Sequence, residues 1–376
     1  MTNTTMLLGE RSSVRSRIYH ILYDSQRLVT RQALAETIGV SMPTLYQNLN
    51  ELMEEGLVRD SGEELSTGGR KARGLDIVPD ARFSVGIAVT EKSLRFVAAN
   101  LRLQELAYRT VPFDVRACLD GTAPKIAAHL EDFLNEYKLD RERLLGAGMT
   151  VPGLVSEDHQ TLFLAPTLGL RDVPLRELLG EIPYPVFVDN DGSASGHAEY
   201  YVRRSSWNMA YLSLENGVGG AVLTGGSPYV GDHSRSGEFG HICVEPGGLK
   251  CACGKMGCLE PYCSPVRIEK NLGISTEEFF QGVAEHQPEC EALLYDMLRH
   301  LAVAVNSIRM TLDCDVVLGG FFSEYLAPYL TDLRRYVLAG NPFEENANFV
   351  QLSMLRRHIT PLGAALHFIR EFVENI

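Results

Sequence analysis

Apolar residues recur at helical spacing through the first part of the chain: Val14, Ile18, Ile21 and Leu22, then Leu45, Leu49, Leu52 and Met53. A period near 3.6 predicts amphipathic helices. Thr30 precedes RQALAETIGV, Gly39 supplies a turn, and Ser41 stands at the N-cap of the next helix. Pro43 falls in that helix's first turn, where its missing N–H is tolerated. Gly56 ends the stripe, and LVRDSGEELSTGGRKARGLDIV reads as two short strands around a glycine-rich basic loop. Three helices followed by a β-hairpin, over residues 1–78, predict a winged helix-turn-helix. From residue 82 the pattern changes. RFSVGIAV, LRFVAANL, LLGAGMTVPG, PVFVDND, MAYLSL and CDVVLGG are strand candidates, separated in places by helical stretches such as APKIAAHLEDFLNEYK and LLYDMLRHLAVAVNSIRMTL. Strands alternating with helices predict an α/β architecture.

Within the first module, Ser41, Thr44, Tyr46, Gln47 and Asn48 are placed to point away from the core of the second helix of the pair, the one that enters a major groove. Gln and Asn suit the adenine edge. Residues 1–78 hold nine Lys/Arg and ten Asp/Glu, so attraction to phosphate has to be local. Arg70, Lys71 and Arg73 in STGGRKARG supply it, on a loop of the kind that enters a minor groove. A helical hairpin for protein contacts is the competing reading. The expected partner is a double-stranded DNA operator.

The net charge of −13 argues against nucleic acid coating the whole surface and leaves room for one DNA-binding module. No run of 18 apolar residues occurs, so no membrane partner is expected. Residues 1–10 lack the pattern of a signal peptide, and a cytoplasmic location is expected.

Four of the eight cysteines lie between 251 and 263. In a long cytosolic chain such a cluster points to metal or catalysis before disulfides. Cys251, Cys253 and Cys258, with His241 ten residues upstream, form the donor set of a closed, structural zinc site. Gly254 and Gly257 let the chain wrap around an ion, and a Cys251–Cys253 disulfide would be strained. Cys263 is a further possible ligand, and four reduced, buried cysteines are the alternative. Cys118, Cys243, Cys290 and Cys314 are scattered and read as small core residues.

Three segments carry a family resemblance: GEFGH followed by CACGKMGCLE, VDNDGSASGHAE, and the N-terminal helix-turn-helix. Together they resemble the ROK family of repressors and sugar kinases, on its repressor branch. The resemblance implies a two-lobed, actin-like or ribonuclease H-like sugar-kinase fold behind the winged helix. One α/β lobe would span 79–203, completed by a C-terminal helix at 359–376. The other would span 204–358 and carry the zinc. It implies that Asn190 and Asp191 bond sugar hydroxyls from one side and Glu238 and Glu260 from the other. His241 would touch sugar with one ring nitrogen and zinc with the other. Thr167 occupies a slot where the family often has Asn.

The kinases of that family carry D-x-G-G-T at the end of the first strand. Here GIAVTEKSLRF places Ala88, Thr90 and Glu91 at the Asp and the two glycines, so side chains crowd where backbone approaches phosphate. Gly217, Gly219 and Gly220 persist in LENGVGGAVLTGG, with Asn216 in the usual Thr place, and Gly319 and Gly320 persist in VVLGGFF. The expectation is a non-enzymatic, sugar-responsive repressor of carbohydrate-utilisation genes. It would bind a small sugar effector, no ATP, and act as a homodimer or higher homo-oligomer. The alternative is an ATP-dependent sugar kinase with an appended DNA module and Asp191 as base.

Overall fold

The computed structural model describes residues 13–376 except 26, 66–71, 157, 205–206 and 356. The N-terminal module opens with α1 (Val14–Asp24), followed by strand β1 (Val29–Thr30), α2 (Arg31–Ile38) and α3 (Met42–Glu54). Each helix begins at a hydroxyl cap: Ser13 accepts from Ser16 N, Thr30 from Ala33 N and Ser41 from Thr44 N. Such caps satisfy helix N–H groups that lack an intrahelical partner. Ile18, Leu34, Leu45, Leu49 and Leu52 are fully buried, as the apolar stripe requires. Strands β2 (Val58–Leu65) and β3 (Ala72–Ile77) form the hairpin, with a register shift between Asp60 and Glu64. The hairpin is not alone. β1 pairs with β3 through Val29–Leu75 and Thr30–Gly74, making a three-stranded sheet.

The α/β body holds two five-stranded sheets. The first contains β4 (Phe83–Val89), β5 (Ser93–Asn100), β6 (Glu105–Pro112), β7 (Leu144–Val151) and β11 (Val186–Asn190), in the order β11-β7-β4-β5-β6. The second contains β12 (Met209–Leu214), β13 (Val218–Thr224), β14 (Ser227–Tyr229), β15 (Asp315–Gly319) and β16 (Val350–Leu352), in the order β14-β13-β12-β15-β16. The two topologies are the same. Three strands run antiparallel in chain order, a fourth joins the first of them in parallel, and a fifth joins the fourth in parallel. Between β7 and β11 the chain forms a small sheet of β8 (Leu154–Val155), β9 (Thr161–Ala165) and β10 (Leu170–Pro174).

All seven residues of β4 are buried, as expected of a central strand covered on both faces. One cover is α6 (Ile359–Glu374), the last helix described, which also packs on β7 and on α4 (Asp191–Arg203). Two glycines set its distance from the sheet. A Cβ on Gly86 would sit 1.7 Å from Pro361 O, and one on Gly148 1.8 Å from Ala364 O. The second sheet packs against the long helix α5 (Pro288–Leu312) around Leu298, Val305, Leu318 and Val350.

The core of the winged helix does not close on itself. Ile18, Tyr19 and Leu49 belong to one apolar cluster that continues into Val97 and Leu101 of the first sheet region, Tyr211 of the second, and Leu362 and Ile369 of α6. Polar contacts reinforce the junction. Tyr23 Oη donates to Leu101 O at 2.5 Å and meets Tyr201 Oη at the end of α4. Arg102 donates to Tyr23 O at 3.2 Å and to Asp76 at 2.9 Å, and Arg204 donates to the carbonyls of Tyr23 and Asp24.

Candidate metal centre and effector cleft

His241 ends a 3-10 turn, Phe239–His241, and Leu259 N donates to Ile242 O just beyond it. The bridges Cys243–Cys258 and Lys250–Met256 fold 243–258 into a hairpin-like loop. Tyr262 pins it by accepting from Leu249 N at 2.7 Å and stacking on His300. Gly257 takes φ +82° at a point where a Cβ would lie 1.9 Å from Glu245 O, so only glycine fits. This loop gathers His241, Cys251, Cys253 and Cys258, whose donor atoms all lie within 4.8 Å of one another. Cys251 Sγ is 3.8 Å from His241 Nδ1, and Cys253 Sγ is 3.8 Å from Cys258 Sγ. Tetrahedral thiolate sites with metal–sulfur bonds of about 2.3 Å have edges of about 3.8 Å. The four residues therefore form a group able to hold a metal ion.

All eight cysteines are free thiols. Cys263 faces away from the cluster and donates to Met297 O at 3.4 Å within the core. Cys118, Cys290 and Cys314 are buried. Cys243, expected in the core, is exposed, because its bridge with Cys258 places it on the rim of the metal loop.

The carboxylate cluster beside this loop, the candidate effector cleft, is built from helix and strand ends. Asn190 ends β11 and caps α4, accepting from Gly192 N at 2.9 Å and Ser193 N at 3.1 Å while its Nδ2 donates to Gly153 O at 2.8 Å. Its amide is thus largely engaged in holding the helix start. Asp191 follows, with Oδ1 accepting from Gly192 N at 2.9 Å. Burial pushes the Asp191 carboxyl up to about 7; the Gly192 N–H opposes this, and repulsion from Glu215 and Glu238 adds to it. Glu238 is also raised, by burial first and by Glu260, against the pull of His241. His241 Nε2 lies 3.9 Å from Glu238 Oε2, so the ring turns one nitrogen to the thiols and the other to a cleft carboxylate. Glu260 bridges similarly: Oε2 accepts from Val218 N at 3.0 Å, and Oε1 is 3.8 Å from Cys251 Sγ. Thr167 is exposed and donates to Pro152 O at 3.4 Å.

Sequence reasoning overlooked Glu215, which lies between β12 and the glycine-bearing β13. Its Oε1 accepts from Phe321 N at 3.1 Å, linking the Gly217–Gly220 and Gly319–Gly320 segments. Burial raises its pKa, with the Phe321 N–H and Arg95 opposing. In the sequence it stands beside Asn216 in an ordinary polar turn, and nothing there announces burial. At the first-sheet turn, Thr90 and Ser93 bond each other's hydroxyl and backbone groups, closing the loop on itself. Asp191, Glu215, Glu238 and Glu260 thus bring four carboxyl groups together, the first three raised by burial.

On α3, Ser41 Oγ and Thr44 Oγ1 bond each other at 2.8 Å, and Asn48 Nδ2 donates to Thr44 O at 2.9 Å. Gln47 and Arg73 are exposed. Arg70 and Lys71 lie outside the described residues. No helix among the described residues is long and apolar enough to cross a membrane.

Fold and cleft together define a sugar-kinase-like α/β protein preceded by a winged helix-turn-helix. Residues 85–369 match the ROK family, and residues 12–60 match a helix-turn-helix domain. The chain belongs to the ROK family. The xylose repressor of Bacillus subtilis (strain 168) is 29% identical over 252 residues, 65% of this chain and 64% of that protein. The glucokinase of Halalkalibacterium halodurans is 33% identical over 209 residues, 54% of this chain and 61% of that one. The chain thus spans less than two thirds of the length of these curated relatives. A solved ROK family transcriptional regulator, described as a homolog of the E. coli MLC protein, superposes with a TM-score of 0.71 at 20% identity, covering 96% of this chain and 95% of that one.

Proposed function

We propose that this chain is a sugar-responsive, DNA-binding transcription regulator, a repressor of carbohydrate-utilisation genes acting in the cytoplasm as a homodimer or higher homo-oligomer. The observation that carries the reading is helix α4. Its first residue, Asp191, faces the acidic cleft, and its end meets the winged helix through Tyr201 and Arg204. A 13-residue helix is about 20 Å long, and it moves as a unit. Sugar hydroxyls would bond Asp191 and the remaining amide hydrogen of Asn190 from one side, and Glu238, His241 and Glu260 from the other. Closure on the sugar would then shift α4 against α1 and change operator affinity in proportion to the sugar's preference for the closed state. In that operator complex Gln47, Ser41, Thr44 and Asn48 face the major groove, while Arg70, Lys71 and Arg73 reach phosphate and the minor groove.

His241, Cys251, Cys253 and Cys258 would hold a zinc ion. Three thiolates and one imidazole complete its coordination, so zinc there supplies structure and leaves no position for substrate. His241 and Glu260 tie that structure to the cleft.

Phosphoryl transfer needs a cradle for nucleotide phosphates. The buried Glu215 carboxylate between the two glycine turns, and the self-closed Thr90–Ser93 loop, oppose one. The reading as an ATP-dependent sugar kinase draws on the glucokinase likeness and on Asp191 as a base. Two measurements separate the readings: operator binding with and without each of a panel of sugars, and coupled turnover with ATP and the same panel. Sugar-dependent operator affinity without turnover is expected. Phosphorylation abolished by Asp191→Asn would overturn the regulator reading as stated.

A further inference from the structure

The first nine of the thirteen residues of α3, Met42–Asn50, carry no charge, whereas Glu51 and Glu54 stand in its last turn and Glu55 caps it. The acids are therefore kept away from the helix N-terminus, where the backbone dipole favours an approaching polyanion. Three polar side chains at this end are already occupied: the N-cap Ser41 and Thr44 hydroxyls with each other, and Asn48 with Thr44 O. Beside the exposed polar Gln47 and Asn50, the segment also offers apolar side chains outward. Met42 is 37% exposed and Tyr46 45% exposed, one turn apart at the margin of the stripe whose next positions, Leu45 and Leu49, are fully buried. Met42 and Tyr46 border a recess of about 520 Å³ shared with Thr30, Arg31, Gln32 and Arg73. Arg31 is held at the rim by Asp60 at 2.8 Å, and Arg73 projects from the wing strand.

Resting on the DNA-binding reading above, we propose that Met42 and Tyr46 are specificity residues that read thymine 5-methyl groups in the major groove. The thymine methyl is the one apolar feature a base pair presents there, and apolar side chains recognise it by contact. The two side chains sit one turn apart on a recess that Arg31, Arg73 and Glu36 also line, with Arg31 paired to Asp60. In this arrangement the cations position the helix on the duplex, Gln47 is left for an adenine edge, and Met42 and Tyr46 discriminate T·A from the other pairs.

The test uses the full chain and duplexes it enriches from a random-sequence pool. Each thymine of an enriched duplex is replaced in turn by deoxyuridine, which removes only the methyl. Wild-type protein should lose about fourfold in affinity at one or two positions, the equivalent of burying one methyl-sized group. Met42→Ala or Tyr46→Ala should bind thymine and uracil forms equally at one of those positions, and Tyr46→Phe should keep the discrimination. Both side chains are exposed, so unchanged thermal melting of the variants is expected to accompany the result. Indifference of wild type to every replacement, or full discrimination retained by both alanine variants, overturns this inference and leaves DNA binding intact. Failure to enrich any duplex overturns the DNA-binding reading as well.

Discussion

The phenol oxygens of Tyr23 and Tyr201 are hydrogen-bonded across the junction between the winged helix and the α/β body. Tyr23 ends the first helix of the DNA-binding module, and Tyr201 lies near the end of the helix that begins at Asp191. Tyr23 spends its one hydroxyl hydrogen on Leu101 O, so Tyr201 is the donor in the pair and the Tyr23 oxygen accepts. Burial raises both phenols above their usual pKa, Tyr201 to about 12, and keeps the pair neutral at physiological pH.

Tyr201→Phe should therefore uncouple rather than unfold. A single lost hydrogen bond costs about 1 kcal/mol, so melting changes little. Sugar affinity measured by calorimetry should hold, while the sugar-induced change in operator affinity should shrink by about fivefold, a typical coupling energy being 1–3 kcal/mol. An undiminished sugar response in this variant would remove α4 as the route.

Asp191 carries a stability cost with a defined pH window. Its carboxyl titrates near 7 in the fold against 3.8 in the free side chain. The protonated form is favoured by the fold, so full stability exists below the unfolded value and is lost as pH rises toward the folded one. Asp191→Asn removes that loss. Denaturant midpoints should show almost no difference from wild type near pH 4 and a gain of up to about 4 kcal/mol at pH 8. The same variant should lose sugar binding, since an amide donor replaces a hydroxyl-accepting oxygen. A pH-independent difference would mean the carboxyl is not held neutral.

Metal removal should act on both fold and cleft. Chelation, or Cys253→Ser, is expected to lower metal content by one equivalent, lower the melting temperature and weaken sugar binding by more than about tenfold, because His241 and Glu260 lose their fixed orientation. Metal analysis by mass spectrometry beside a sugar titration reads all three. Wild-type protein of unchanged melting after complete metal removal would refute a structural ion.

The contact between the last helix and the first sheet gives a large expected loss of stability. Gly148→Ala puts a methyl 1.8 Å from Ala364 O, which only backbone movement can relieve. A loss of about 3 kcal/mol or more in chemical denaturation is expected.

The winged helix was readable because its determinants are local. Caps at Thr30 and Ser41 and leucines at helical spacing lie within a few residues of what they specify. Strand β1 escaped notice because two residues, Val29 and Thr30, carry no period at all. The metal donors were readable for a similar reason, though only folding shows that Cys263 turns into the core while His241 turns out. Glu215 was illegible because its burial depends on Phe321, more than a hundred residues away. The shared strand order of the two sheets was hidden likewise, since it resides in pairing between distant segments and not in repeated residues.

Helix α6 is synthesised roughly 270 residues after β4, the strand it covers. It also contributes Leu362 and Ile369 to the core that the winged helix shares. A nascent chain that has already made its DNA-binding helices still lacks the surface against which they rest. On the proposed reading, competence to occupy an operator then depends on residues 359–374 having been made and packed, and chains terminated before them lack it.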